Sequence, residues 1–182
     1  MQNAPRHTLH ENGDYEIVSR IRQGDERAVS EMYGKYARYV AAIAYRLMGD
    51  DADLDDVVQD TFVSAVKSIG NINDATALKT WLATIAVRST SRYAEARRKQ
   101  KRLAEKQFFE TPNTIAPQHD MGLEARQMMS QIPYKYKAPW ILCKVMDMNL
   151  EEASNICECS VATSKRRIAK AENLIRRMRD DA

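Results

Sequence analysis

The chain has 182 residues, room for one medium domain or two small ones at ~100–200 residues per domain. A hydrophobic fraction of 44% argues against global disorder, and the low counts of glycine (6) and proline (5), with few valine-rich alternating runs, favour an all-helical fold. A net charge of +3 is too small to define a partner, and three cysteines, an odd number, argue against a disulfide framework and for the cytoplasm.

Residues 1–13 are polar and disordered-looking, without the apolar core of a signal peptide or anchor. A short helix is expected from near Asp14, with Ile17, Val18 and Ile21 inward, ending at Gly24. Asp25 can cap a second helix, in which Ala28, Val29, Met32, Tyr33, Tyr36, Val40, Ile43, Ala44 and Leu47 recur at helical spacing and Gly49 supplies a stop. The apolar stretch from Tyr39 to Tyr45 is far short of the ~20 residues a membrane span requires, so no membrane insertion is expected.

A third helix follows the cluster Asp50, Asp51, Asp53, Asp55, Asp56 and Asp60, whose negative charges suit a helix start. Its apolar positions, Leu54, Val57, Val58, Phe62, Ala65, Val66 and Ile69, define one face and leave Asp55, Asp56, Gln59 and Asp60 mainly on the other. After the polar stretch Asn71-Ile72-Asn73-Asp74, a fourth helix is expected from Ala75 to Arg102, with Leu78, Leu82, Ile85 and Ala86 inward. Charge reverses along it: Arg88, Arg92, Arg97, Arg98, Lys99, Lys101 and Arg102 make it strongly basic. Four helices on one core form a first domain, 14–102.

Residues 103–122 contain Pro112 and Pro117, which cannot continue a regular helix, and read as a flexible linker. The second domain, 123–182, holds a helix marked by Leu123, Met128 and Ile132, another that starts at Pro133 and carries Trp140, Ile141, Leu142 and Val145, and then two closely spaced helices, about Leu150–Cys157 and Ser160–Arg179. That last pair reads as a helix-turn-helix with Ser160 as cap, Ala153 small at the close approach, and Ile156, Val161 and Ile168 in the joint. Thr163, Lys165, Arg166, Arg167 and Lys170 lie on the second, basic helix, where such side chains reach base edges or phosphates in a major groove. The bland alternative is a helical hairpin with a solvated basic face.

Other chemistries fit poorly. Cys157-Glu158-Cys159 with Cys143 lacks metal-ligand spacing, and His7, His10 and His119 are remote from it in sequence. There is no phosphate-binding glycine loop, nucleophile elbow or catalytic triad, so no catalytic residue, metal or cofactor is expected.

The series Tyr45-Arg46-Leu47-Met48-Gly49-Asp50, Asp55-Asp56-Val57-Val58-Gln59-Asp60-Thr61-Phe62, Leu78-Lys79-Thr80-Trp81-Leu82, Ile132-Pro133, Glu151-Glu152 and Val161-Ala162-Thr163 resembles the extracytoplasmic-function subgroup of the sigma-70 family of bacterial RNA polymerase sigma factors. The resemblance spans nearly the whole chain, with 14–102 like region 2 and 123–182 like region 4. It implies a transcription initiation factor that binds core RNA polymerase through the clamp helices of the largest subunit and the flap region. Such a factor reads the −10 and −35 promoter elements and assists melting. It further implies that Asp55, Asp56, Gln59 and Asp60 dock on polymerase. Asn71, Asn73 and Asp74 would hold opened −10 bases, Arg88, Arg92, Arg97 and Arg98 would follow the nearby phosphates, and the basic helix of the second domain would read −35 DNA. Trp81 could stack on a base, but a tryptophan among leucines is better read as core. An anti-sigma factor is the implied regulator.

The chain departs from the family pattern in places. The loop carries Ile72-Asn73-Asp74 in place of Phe-Arg-Gly, Arg88 stands where relatives carry a smaller polar residue, Glu158 replaces a turn glycine, and Ser164 replaces an apolar residue. Two rival readings are a stand-alone helix-turn-helix regulator and a sigma-like decoy that binds an anti-sigma factor without initiating transcription.

Overall fold

Local signals bound several of the helices in the computed structural model, which describes residues 8–49, 52–106 and 128–180. Among the described residues every regular element is helical: α1 (Thr8–Arg22), α2 (Glu26–Met48), α3 (Leu54–Ser68), α4 (Leu78–Lys106), α5 (Tyr134–Lys144), α6 (Leu150–Ile156) and α7 (Val161–Asp180). Single turns of 3-10 helix, Ile69–Asn71 and Ala75–Ala77, join α3 to α4, and residues 128–131 are helical ahead of α5. Asp25 caps α2 by accepting the Arg27 amide, and Gly49 ends it with φ +86°, in the left-handed region that glycine enters without a Cβ clash.

Two expected boundaries are corrected. Helix α1 begins at Thr8, inside the segment 1–13 read as disordered-looking, and α4 continues to Lys106, past the expected linker start at 103. The first lacked an apolar period in the sequence; the second follows from good helix formers with no proline before residue 112. The rest of the linker, 107–122, and Asp50 and Asp51 of the acidic cluster lie outside the described residues.

The first four helices share one core. Ile17 and Val18 from α1, Met32, Val40, Ile43 and Leu47 from α2, Val58 and Phe62 from α3, and Leu78, Leu82 and Ile85 from α4 are all buried in it. Trp81 packs half-buried against the same cluster. At the α1–α2 contact the buried Asp14 carboxylate accepts the Tyr36 hydroxyl (2.7–2.8 Å) and the Lys35 ammonium (2.8 Å), so this charge is both paired and hydrogen-bonded. Burial, with the Asp14 charge beside it, raises the Tyr36 phenol above its ordinary value.

Ala138, Ile141, Leu142, Ala153 and Ile156 from α5 and α6 join this core, so the second block lies directly on the first. A smaller cluster, Met129, Ile132 and Ala171 with Trp140, Leu174 and Ile175 packed around it, holds α7 to α5.

Candidate nucleic-acid and protein interfaces

The third helix presents its acidic residues unevenly. Asp55, Asp56 and Gln59 are exposed, as the 3.6-residue period requires of positions opposite Val57, Val58 and Phe62. Asp60, expected on the same open face, is half-buried and accepts the Tyr93 hydroxyl of α4 at 3.2 Å, while Asp53 pairs with Arg97 (2.6 Å). The acidic face is therefore narrower than expected, because α4 lies across one of its flanks.

Its other flank opens into a groove between α2 and α3 of about 770 Å³, with Asp55, Gln59 and Lys67 at its polar edge and Val29, Tyr33, Phe62, Val63 and Val66 along its apolar wall. The Tyr33 and Phe62 rings meet at 4.8 Å with 56° between their planes. Phe62 is buried, but Tyr33 (49% exposed) and Val63 (44%) face solvent, which marks the apolar part of the groove as available to a partner. Sequence reasoning placed Tyr33 in the helical core pattern and left Val63 out; only the α2–α3 crossing shows that both edge an open groove.

The polar loop is held from outside. Arg22, at the end of α1, donates to the Ile69 carbonyl (3.3–3.4 Å) and the Ile72 carbonyl (2.6 Å). Ile72 is buried beneath, while Asn71 and Asn73 are exposed. Asp74 is exposed too, but it accepts the Thr76 amide (2.9 Å) and hydroxyl (2.6 Å), which hold its carboxyl below the usual range. Asp74 thus caps the turn leading into α4, and the loop's outward hydrogen-bonding groups are chiefly the two asparagines. Arg22 is a loop-positioning residue that no local motif signals, since its targets lie 47 and 50 positions away.

Along α4 the four expected arginines have different surroundings. Arg92 and Arg98 are exposed, with Arg92 also donating to Ser89 (3.1 Å). Arg97 is tied to Asp53. Arg88 forms a two-pronged ion pair with Glu158, its Nε lying 2.9 Å from Oε2 and its Nη2 bonded to Oε1. The hydrogen bonds to Arg88 hold the Glu158 carboxyl below its ordinary value.

The helix-turn-helix forms as expected, with one change in its joint. A reciprocal capping box between Asn149 and Glu152 starts α6, and Ser160 starts α7 by accepting the Thr163 amide (3.2 Å). Ala153, Ile156 and Ile168 are buried in the joint, but Val161, expected there, is 38% exposed. Ser164, one helical turn on, is fully buried instead, and its hydroxyl meets the Cys159 thiol at 3.2 Å. That bond satisfies a polar group at a position where an apolar one was expected. Lys165, Arg166 and Lys170 point outward, whereas Thr163 and Arg167 are half-buried, Thr163 engaged with Ser160 and Arg167 beside the seam between the blocks.

Cys143, Cys157 and Cys159 are half-buried free thiols, and burial pushes Cys157 up to about 12. Among the described residues no helix is long and apolar enough to cross a membrane.

A family model described as Sigma-70 region 2 matches residues 32–102. The RNA polymerase sigma-H factor of Pseudomonas aeruginosa is 24% identical over 92% of this chain and 94% of its own length. The ECF RNA polymerase sigma-E factor of Haemophilus influenzae is 27% identical over 89% and 93%, and that of Escherichia coli K12 is 26% identical over 89% and 92%. The fold is shared with CnrH, solved in complex with the cytosolic domain of CnrY (TM-score 0.64, 21% identity, covering 93% of this chain and 98% of that one). It is shared also with the sigma factor RpoE of Bartonella quintana, solved with the anti-sigma factor NepR (TM-score 0.63, 21% identity, 83% and 96%).

Proposed function

We propose that this chain, a member of the sigma-70 family in its extracytoplasmic-function group, initiates transcription through three separate surfaces. The α2–α3 groove docks core RNA polymerase, the Arg22-held loop with α4 takes the opened −10 element, and α7 reads the −35 element. The observation that carries this reading is the placement of an acidic-edged apolar groove along the length of α3 and an exposed asparagine loop just beyond its C-terminal end. A basic partner helix meets complementary charge at Asp55 and Asp56 and gains its affinity from the apolar wall beneath.

Opened bases require hydrogen-bonding groups and stacking surfaces, and Asn71 and Asn73 offer the former at an exposed loop. Arg92 and Arg98 lie on the exposed side of the helix that follows, suited to phosphates of the same strand. Lys165, Arg166 and Lys170 occupy the outward side of α7, suited to duplex DNA. The work is binding and positioning rather than bond chemistry, and its place is the cytoplasm, where polymerase and promoter are. By likeness to relatives solved with CnrY and NepR, an anti-sigma factor is the natural regulator, and the polymerase-docking groove is a surface it would have to cover.

We read residues 14–102 and 123–182 as two functional domains joined through 103–122, although in this structure they pack on each other. Run-off transcription with purified core polymerase tests the function. Promoter-specific transcripts that require this chain support initiation; core binding without transcripts points to a decoy, and DNA binding without core binding to a stand-alone regulator.

A further inference from the structure

Arg88 and Glu158 belong to different blocks and meet only because α6 lies against α4. Glu158 sits at φ +51°, a left-handed conformation that is natural for glycine and unfavourable for an ordinary L-residue. A glutamate kept in that conformation with its carboxylate forked onto an arginine is a placed charge. The same seam carries Tyr134, whose hydroxyl donates to the Val87 carbonyl (2.7 Å) and bonds the Thr90 hydroxyl. A cavity of about 220 Å³ runs beside these contacts, lined by Arg88, Tyr134, Glu158 and Arg167 among others.

Two arginines assigned to different promoter elements therefore face one small cavity. The −10 and −35 elements are separated by about 25 base pairs, or about 85 Å at ~3.4 Å per base pair. Arg88 and Arg167 cannot serve both elements while they line the same cavity, so the described arrangement is a closed one.

Resting on the sigma-factor reading, we propose that Glu158 acts as an internal stand-in for a DNA phosphate, a latch that occupies Arg88 and holds the two blocks together until polymerase or DNA displaces it. The geometry matches the role: a guanidinium forks onto a carboxylate as it does onto a phosphate. The strength matches as well. Arg88 and Glu158 side chains are 57% and 52% exposed, and an exposed ion pair holds only about a twofold to fivefold bias, which a partner can overcome.

The full chain, E158G and E158Q are compared by small-angle X-ray scattering and by fluorescence anisotropy with a labelled single-stranded oligonucleotide of mixed sequence. Glycine suits the backbone at this position, so E158G is expected to keep the native circular dichroism and melting temperature. It should show a larger radius of gyration and bind the oligonucleotide about twofold to fivefold more tightly than the unchanged chain, with E158Q shifted the same way. In an R88A background the E158G gain should vanish, because the group released is Arg88 itself. Equal dimensions and equal affinities for E158G, E158Q and the unchanged chain overturn the latch while leaving the DNA reading intact. If E158G expands but the double variant E158G/R88A binds the oligonucleotide as tightly as E158G, the DNA role of Arg88 is what fails, and the phosphate-mimic proposal fails with it.

Discussion

The ring centroids of Tyr33 and Phe62 lie 4.8 Å apart where α2 crosses α3, and this tilted pair forms part of the apolar wall of the acidic-edged groove. Phe62 supplies the buried half and Tyr33 the exposed half, so one contact serves both the core and the surface.

The two rings should consequently separate in mutagenesis. Phe62→Ala opens a core cavity and is expected to cost about 3–5 kcal/mol of stability. Tyr33→Ala removes the aromatic contact only, about 0.5–1.5 kcal/mol, yet should weaken core-polymerase binding by about tenfold or more as loss of an interface anchor. Thermal denaturation beside binding titrations with purified core polymerase reads both; undiminished binding by a folded Tyr33→Ala protein would remove the groove from the docking surface.

Arg22 holds the polar loop through the Ile69 and Ile72 carbonyls. Arg22→Ala leaves these acceptors without their guanidinium, at an expected cost of about 1–3 kcal/mol. Its effect should fall on capture of single-stranded −10 DNA by the holoenzyme while core binding is retained. Permanganate footprinting of the melted region checks this, and an unchanged melting pattern in Arg22→Ala would mean that the loop orders itself.

Arg166 lies outward on α7 in the position of a phosphate- or base-contacting side chain. Arg166→Ala should weaken holoenzyme binding to −35 DNA and, if its contact is to a phosphate, lower the salt slope of that binding by about 1. A slope and an affinity both equal to those of the unchanged chain would place Arg166 off the DNA.

The pair between Arg88 and Glu158 also sets a pH dependence. Its hydrogen bonds lower the Glu158 carboxyl from an ordinary 4.5. A depressed folded value means that the contribution is fully present above about pH 4.5 and is lost as pH falls through the folded value. The seam should loosen on acidification below that point. Hydrogen exchange at the amides around Val87 and Glu158 reads the effect, and E158Q, which has no proton to take up there, should lack the seam-specific part of it. Identical acid profiles for the unchanged chain and E158Q would show that other carboxylates control the opening.

Much of the fold is written in short-range pattern. Asp25 and Gly49 bracket α2, the apolar steps of α3 leave Asp55, Asp56 and Gln59 outside, and the Asn149–Glu152 box with Ser160 frames the helix-turn-helix. Each of these depends on residues within a turn or two of one another, where backbone hydrogen bonding and side-chain periodicity decide the outcome. The sites were less legible. Asp60 has the same type and near spacing as Asp56, but Tyr93 of α4 takes it out of the open acidic face. Val161 is apolar and close to the joint, yet it is Ser164, one turn on, that is buried there against Cys159.

The sequence by itself determined the helices, their caps, the sign of charge along each and the resemblance that names the family. Only the tertiary structure decided which charged groups remain outward and which are occupied by one another. Arg22 reaches the loop across 47 to 50 positions, and Arg88 reaches Glu158 across 70. A helical period records which face of a helix is apolar, whereas the partner met by a long side chain depends on how separately specified faces pack. That packing alone turns an arginine on the basic helix and a glutamate in a turn into a contact.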